Sequence, residues 1–126
     1  MNLQDYSFHD GEIIQISILQ NHVEMLFEQW NANRIKVIFE DYWIMKDKSS
    51  VGRETGGLLI NSSKEMIDEA IKLEITAGGT EEALMGVNSY SLLDTWYDEV
   101  IFEIVDKNVR VEEVKKFKLF KRSVKP

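Results

Sequence analysis

Histidine, the side chain that most often serves as a general base near neutral pH, occurs only twice in the 126-residue chain, at His9 and His22. Cysteine is absent, which excludes a thiol nucleophile, a thiolate zinc site and a disulfide framework. A three-histidine metal site is impossible, and no third ligand stands at a characteristic spacing from the two histidines. We therefore expect no bound metal and no other cofactor.

Residues 6–11, with the sequence YSFHDG, place a base and a carboxylate side by side at His9 and Asp10. Neighbouring residues of an extended chain point to opposite sides, so these two cannot act on each other as a dyad without a turn. One interpretation is structural: Asp10 and Gly11 form a turn that starts a strand, while Phe8 packs beneath the sheet. The other is that His9 and Asp10 bind a ligand or partner.

Residues 52–57, with the sequence GRETGG, form the second candidate segment. Glycine lets a backbone approach a ligand closely, and the Arg53 guanidinium can hold a carboxylate or phosphate. The Gly-Lys-Ser/Thr ending of a Walker loop and the GxGxxG spacing are both absent, and Glu54 beside Arg53 disfavours an anion site. The segment is either a plain connector or part of a binding surface.

Aromatic and acidic residues supply the remaining candidates. The large aromatic set comprises Trp30, Tyr42, Trp43, Trp96 and Tyr97. Adjacent acids such as Glu40 and Asp41 are typical of a solvated face, since glycoside hydrolysis needs carboxylates from separate elements. No catalytic residue is predicted. The residues that we expect to contact a partner are His9, Asp10, Asp41, Trp43, Arg53, Glu54 and Trp96.

The charge is distributed unevenly along the chain. There are 22 acidic and 15 basic residues, for a formal net charge of −7. Six of the bases lie in residues 115–125, which contain no acid, so residues 1–114 hold 22 acids against nine bases. Because residues 1–114 are this acidic, they repel nucleic acids and anionic membranes and attract a basic partner.

No segment predicts targeting or membrane insertion. The N-terminus lacks a basic region followed by an apolar run, and no window approaches about 18 apolar residues. We therefore expect a cytoplasmic protein.

Residues 11–45 predict a three-stranded antiparallel meander, because apolar and polar residues alternate in three runs separated by polar turns. The predicted inward residues are Ile14, Ile16 and Ile18, then Val23, Met25 and Phe27, then Ile35, Val37 and Phe39. The third run keeps its parity to Met45, which puts Asp41 on the inward face unless a bulge intervenes or its carboxylate is bonded near a sheet end.

The second half of the chain predicts one helix and further strands. Residues 46–57 predict a loop, and 58–60 a short strand or the approach to a helix. A helix over about 63–74 follows from the capping pattern of residues 62–65 and from the apolar stripe Met66, Ile67, Ala70 and Ile71. Strands are predicted at about 89–96 and 99–106, then a hairpin into 109–111 and an edge strand near 114–120.

Together these elements predict an α+β fold. It consists of an antiparallel sheet of about six to seven strands with one main helix packed on it, in a single domain over residues 1–126.

Residues 6–11, 35–43 and 52–57 resemble segments of small uncharacterised bacterial proteins in which a Phe-His-Asp start leads into a β meander. Some of those proteins resemble the immunity proteins of bacterial toxin systems. The resemblance implies a small cytoplasmic binding protein and carries over no catalytic residue.

Two functions remain open from the sequence. The first is a non-catalytic protein-binding domain, such as an immunity-type inhibitor of a basic toxin or effector. The second is a small-molecule-binding or enzymatic domain with a pocket between sheet and helix, which requires His9, Asp10, Asp41 and Arg53 to converge. Nucleic-acid binding through the lysine-rich tail is disfavoured and predicts salt-sensitive retention.

Overall fold

The computed structural model describes residues 3–114, which form one antiparallel sheet and one α-helix. In chain order the elements are β1 (His9–Ile18), β2 (His22–Glu28), β3 (Arg34–Glu40), β4 (Ile44–Asp47), β5 (Glu54–Ile60), α1 (Lys64–Thr76), β6 (Asn88–Asp94), β7 (Val100–Asp106) and β8 (Asn108–Glu113). Short 3₁₀ helices lie at Leu3–Asp5 and Glu81–Leu84. The strand order across the sheet is β4-β7-β6-β5-β1-β2-β3-β8. The predicted α+β class is confirmed, with eight strands in the described part instead of six to seven.

The predicted meander is present as β1, β2 and β3, but the inward face predicted for β1 was wrong at the start of the strand. Ile13 is fully buried in place of Ile14, whereas Ile16 packs against the main core as predicted. Ile18 lies opposite the buried Val23 but is exposed at the end of the strand. The register against β2 shifts between Ile13 and Gln15, so Ile14 is the extra residue of a β-bulge. A bulge changes which residues face inward, and a simple two-residue period therefore fails on this strand.

The third predicted run does not continue to Met45. β3 ends at Glu40, and Asp41 adopts a left-handed φ of 52° in an exposed turn, where its N–H donates to the carbonyl oxygen of Asn21. The chain then crosses to the other edge of the sheet, where β4 pairs with β7. The inward placement of Asp41 was wrong because this turn ends the strand before that residue.

The predicted loop over residues 46–57 was too long at both ends. β4 extends to Asp47, and β5 already begins at Glu54. Gly56 and Gly57 lie within β5, where a Cβ on Gly56 would come within 3.1 Å of the Asp94 carbonyl oxygen and one on Gly57 within 3.2 Å of the His9 ring. These glycines serve close packing inside a strand, not a mobile connection.

The helix covers the half of the sheet formed by β6 and β7. The Ser63 side chain accepts the Met66 N–H at 3.3 Å, so the N-cap is Ser63 and the predicted capping pattern of residues 62–65 is shifted by one residue. Met66 and Ala70 are buried with Val105 of β7 in a core separate from the main one.

The main core includes four phenylalanines, Phe8, Phe27, Phe39 and Phe102. Phe39 and Phe102 contact each other with ring centroids 6.1 Å apart. β7 contributes to both cores, which explains why it is apolar on both faces.

Two expectations concern other parts of the chain. The turn predicted at residues 106–108 is present between β7 and β8, but the predicted hairpin is wrong, because the two strands do not pair with each other. β7 pairs with β4 and β6, whereas β8 pairs with β3. Most of the edge strand predicted near 114–120 lies outside the described residues. In residues 3–114, no helix combines the length and apolar character that crossing a membrane requires.

An acidic and aromatic candidate binding cleft

An open cleft of about 630 Å³ lies where β1 passes between β2 and β5. We call it the acidic cleft. Its lining residues are Asp10, Gly11, Glu12, Glu28, Gln29, Trp30, Ala32, Gly52, Arg53, Glu54, Asp94, Trp96 and Tyr97. Five carboxylates and one guanidinium are among them, which leaves four negative charges in excess at neutral pH. Every lining residue comes from a strand or a connecting loop, and none belongs to α1.

Three carboxylates form a row across the floor of the acidic cleft. Glu12 of β1 pairs directly with Glu28 of β2 on one side and with Glu54 of β5 on the other. Directly opposite residues of antiparallel strands share a face, with Cβ atoms about 5 Å apart, and like charges there are destabilising. The row is therefore an arrangement that costs stability.

Only one member of the row has a basic partner within the described residues. Arg34 of β3 lies opposite Glu28, and its Nε–H donates to Glu28 Oε1 at 2.9 Å. Glu12 and Glu54 form no ion pair there. Their charges are consequently available to a cation that approaches the cleft.

A backbone irregularity brings Asp10 to the same cleft. The register between β1 and β5 shifts between His9 and Gly11, and Asp10 adopts a φ of 56° as the extra residue of this bulge. Its neighbour Gly11 permits the arrangement, since a Cβ there would lie 2.4 Å from Phe27 Cζ and 2.6 Å from the Glu28 carbonyl oxygen. The predicted turn at Asp10 and Gly11 is thus a bulge within β1.

The loop between β6 and β7 is held by Asp94, whose side chain is only 4 % exposed. Asp94 Oδ1 accepts the N–H groups of Trp96 at 2.7 Å and of Tyr97 at 3.1 Å. Asp94 Oδ2 accepts Nη2–H of Arg53 at 2.6 Å and its Nε–H at 3.2 Å. Burial alone would raise the pKa of Asp94, but the Trp96 N–H, the Arg53 guanidinium and the Tyr97 N–H outweigh it and hold that pKa below its ordinary value.

Further hydrogen bonds tie this loop to β5. The Thr95 hydroxyl donates to the Thr55 carbonyl oxygen at 2.7 Å, and the Thr95 N–H donates to that of Glu54 at 3.1 Å. The loop is thus held by hydrogen bonds of the Asp94 carboxylate, the Thr95 hydroxyl and the loop backbone, and not by packing of the Trp96 and Tyr97 rings.

Large aromatic side chains stand exposed on both sides of the cleft. Trp96 is 75 % and Tyr97 78 % exposed on the β6–β7 loop, and Trp30 is 67 % exposed after β2. Aromatic side chains of this size normally bury most of their surface. Exposed on ordered loops beside carboxylates, they can stack on flat or cationic groups such as a guanidinium.

The structure brings together four of the seven residues predicted to contact a partner. Asp10, Arg53, Glu54 and Trp96 all line the acidic cleft. His9 lies in a different depression, formed with the N-terminal residues 3–8. His9 and Asp10 thus face different depressions. Neighbouring residues of an extended chain were expected to point to opposite sides.

Asp41 and Trp43 lie in a third depression, beside Tyr42 and the β1–β2 turn. Trp43 is half-buried and packs against the α1 core, with Lys107 Nζ 6.0 Å from its ring centroid. The convergence of His9, Asp10, Asp41 and Arg53 that an enzymatic site required is not observed, because these residues line three separate depressions.

Sequence reasoning missed several cleft residues, namely Glu12, Glu28, Trp30, Asp94 and Tyr97. Trp30 and Tyr97 belonged to the aromatic set but carried no signal that separated them from core residues. Glu28 was interpreted as an ordinary outward position of its alternating run, and no prediction was made for Glu12. Their place in the cleft depends on which strands are neighbours in the sheet. The local sequence pattern does not show that pairing.

The histidines do not form a metal site. His22 Nε2 lies 3.0 Å from Glu24 Oε2 at the start of β2, and this contact is the main cause that lowers the pKa of Glu24. Within residues 3–114 no group of three or more histidine, aspartate or glutamate side chains has the geometry to hold a metal ion.

No family model, curated protein or solved structure matches this chain.

Proposed function

We propose that this protein is a non-catalytic protein-binding domain, of the kind that acts as an immunity-type inhibitor of a basic toxin or effector, and that the acidic cleft is its contact surface. The observation that carries the proposal is the row Glu28, Glu12 and Glu54, which costs stability and lies beside exposed aromatic side chains. Charged groups arranged against stability are typical of binding sites, where a ligand of opposite charge relieves the repulsion.

The acidic body supports a basic partner. Residues 1–114 hold 22 acids against nine bases, so the long-range field attracts a cationic surface and accelerates its approach. Within the cleft, Glu12 and Glu54 lack basic partners in the described part and can each receive a lysine or arginine. Charge complementarity of this kind sets the association rate and the choice of partner.

The aromatic side chains supply the short-range part of the affinity. Burying one large apolar side chain contributes about 2 to 3 kcal/mol, and aromatic residues dominate the energetics of most interfaces. Because Asp94 and Arg53 already hold the loop that carries Trp96 and Tyr97, little conformational entropy is lost when a partner covers it. Inhibition would follow when the covered basic surface is the one that the partner uses for its own substrate.

A capture experiment with matched variants tests the proposal. The full chain is immobilised as wild type, as the cleft variant Glu12→Gln/Glu54→Gln, and as the control Glu65→Gln/Asp68→Asn, which removes two charges from the exposed face of α1. We expect wild type and control to retain one stoichiometric basic protein from the native cytosol and the cleft variant to lose it. Retention by all three, or by none, would contradict the proposal.

A further inference from the structure

Backbone hydrogen bonds show that the Glu12 and Glu54 side chains approach each other closely across β1 and β5. The carbonyl oxygen of Glu54 accepts the Thr95 N–H at 3.1 Å, on the side of β5 that faces β6. Glu54 and Glu12 are direct partners in the antiparallel register, so they form a non-hydrogen-bonded pair. In such a pair the Cα atoms are about 4.5 Å apart, and the side chains are closer than in a hydrogen-bonded pair. Two carboxylates are therefore held side by side on the cleft floor.

This pair has no cation of its own within residues 3–114. Glu28, the third member of the row, accepts a hydrogen bond from Arg34 at 2.9 Å, and Arg53 is bonded to Asp94 at 2.6 Å. Both members of the pair are exposed. Their repulsion is relieved most effectively by a cation that contacts both carboxylates at once.

An exposed indole ring stands beside the same pair. Thr95, whose N–H donates to Glu54, is followed directly by Trp96, and the Trp96 N–H donates to Asp94 Oδ1 at 2.7 Å. The backbone of the loop is thus held at both residues, while Trp96 is 75 % exposed. The ring is available one residue from the backbone contact to Glu54, in the cleft that the two carboxylates also line.

A guanidinium matches this combination better than an ammonium does. Its N–H groups lie along the edges of a planar fork and can donate to two neighbouring carboxylates, while its flat face remains free to stack on an aromatic ring. The lysine ammonium is a compact and strongly hydrated point charge, which must give up water to lie against a ring. Paired carboxylates and an exposed indole in one cleft therefore favour arginine over lysine.

We propose that the acidic cleft receives an arginine side chain of the partner, with the guanidinium edge on Glu12 and Glu54 and its face on the Trp96 ring. Arginine is selected over lysine because only the guanidinium makes both contacts together. The inference rests on the proposed function, since it names the chemistry of the partner at the same site. The contact surface of the partner then carries an arginine that projects into an open cleft of about 630 Å³.

Two labelled peptides of equal charge, hexa-arginine and hexa-lysine, test this selection. Fluorescence anisotropy is measured in low salt with the full chain as wild type, Trp96→Leu and Trp96→Phe. We expect wild type to bind hexa-arginine about tenfold more tightly than hexa-lysine, the ratio that a largely desolvated cation–π contact supplies. The variant Trp96→Leu should reduce this ratio to about twofold or less by weakening the binding of hexa-arginine. The conservative variant Trp96→Phe should keep most of the ratio, because it retains an aromatic face.

The matched control is Met85→Ala, since Met85 is 72 % exposed and lies outside the acidic cleft. It should leave both affinities within about twofold of those of wild type. Equal affinities of wild type for the two peptides, or a ratio that Trp96→Leu leaves unchanged, would overturn the inference.

The variant Glu12→Gln/Glu54→Gln separates this inference from the proposed function. We expect it to bind both peptides more weakly than wild type, with the larger loss for hexa-arginine. If wild type shows no preference but this variant weakens both peptides, the selection of arginine fails while the proposed contact surface stands. If the variant binds both peptides as tightly as wild type, or if wild type binds neither, the proposed function fails together with the inference.

Discussion

The Asp94 carboxylate joins the β4–β5 connection to the β6–β7 loop by accepting two hydrogen bonds from Arg53 on a single oxygen, Oδ2, while Oδ1 holds the backbone of Trp96 and Tyr97. One buried side chain thus organises the wall of the acidic cleft that carries two of its three exposed aromatic residues. The exposed rings are held in place by polar contacts at their backbone, which leaves their faces available to a partner.

Replacing Asp94 should loosen this wall. In Asp94→Ala the N–H groups of Trp96 and Tyr97 lose their acceptor, and the Arg53 guanidinium loses its partner. We expect a melting temperature several degrees below that of wild type and faster hydrogen exchange at the amides of Trp96 and Tyr97, measured by mass spectrometry. The control Glu99→Ala changes an exposed residue of the same loop, and equal exchange in both variants would refute the role of Asp94.

The contribution of Asp94 to the free energy of unfolding should also depend on pH. Because the folded-state pKa of Asp94 lies below its ordinary value, its stabilising contribution is present above the unfolded-state pKa of about 3.9 and is lost as the pH falls through the folded-state pKa. Urea titrations of wild type and Asp94→Asn should therefore converge at acidic pH. Parallel curves down to the acid transition would contradict this.

Glu12 lies between the like charges of Glu28 and Glu54. Neutralising Glu12 should therefore raise the stability of the protein while weakening its binding of a cationic partner. We expect Glu12→Gln to raise the free energy of unfolding at low salt by about 0.5 kcal/mol, because the repulsion from Glu28 and Glu54 is removed. The gain should disappear in about 1 M salt, where charges are screened within about 3 Å. Guanidinium is unsuitable for this measurement because it is itself a salt, so urea unfolding is used, with Glu65→Gln as control. A loss of stability in Glu12→Gln would mean that the row is not repulsive.

Much of the fold could be predicted from local patterns. In β2 and β3, Val23, Met25, Phe27, Ile35 and Val37 alternate inward as their sequence indicates, because no bulge interrupts these strands. The start of α1 follows from a serine and an apolar stripe, which are both local signals.

The cleft could be predicted only in part, because it depends on long-range pairing and on bulges. Nothing near Glu12 in the sequence indicates that Glu54, more than forty positions away, is its neighbour in the sheet. The bulge at Asp10 likewise arises where β1 meets β5. Arg53 and Trp96 were identified by residue type alone, whereas the buried Asp94 that links them gave no signal.

Gly11 should tolerate no side chain. In Gly11→Ala the new Cβ would overlap the fully buried Phe27 ring and the Glu28 backbone, and we expect a loss of about 3 kcal/mol of unfolding free energy. Gly52→Ala is the matched control. Gly52 has a φ of 87° but open space around it, so only the conformational cost of about 1 to 2 kcal/mol applies. Urea unfolding of both variants measures the difference, and a smaller loss at Gly11 than at Gly52 would contradict the packing at the cleft floor.

The buried Asp106 should make stability depend on pH in the opposite sense to Asp94. Burial raises the pKa of Asp106 to about 6, against the lowering effect of the Asn108 and Lys107 N–H groups, and its Oδ2 has no hydrogen-bond partner within residues 3–114. Its raised pKa means that its favourable contribution is complete below the unfolded-state pKa of about 3.9 and is lost as the pH rises through about 6.

The variant Asp106→Asn keeps a side-chain acceptor for the Lys107 and Asn108 N–H groups and cannot ionise. Relative to wild type, it should gain about 2 kcal/mol of unfolding free energy between pH 4.5 and pH 7.5. Urea unfolding at both pH values measures this, with Asp68→Asn as an exposed control. A difference that does not change with pH would show that Asp106 ionises normally in the folded protein.

The most direct test of the account is the affinity of the acidic cleft for a cationic peptide. Fluorescence anisotropy of labelled hexa-arginine is measured in low salt against full chains that carry either Glu12→Gln/Glu54→Gln or Glu65→Gln/Asp68→Asn. We predict that the cleft substitutions weaken binding about tenfold or more, while the substitutions on α1 change it less than about twofold. Equal weakening by both pairs would mean that the peptide responds only to net charge, and the cleft would not be the binding site.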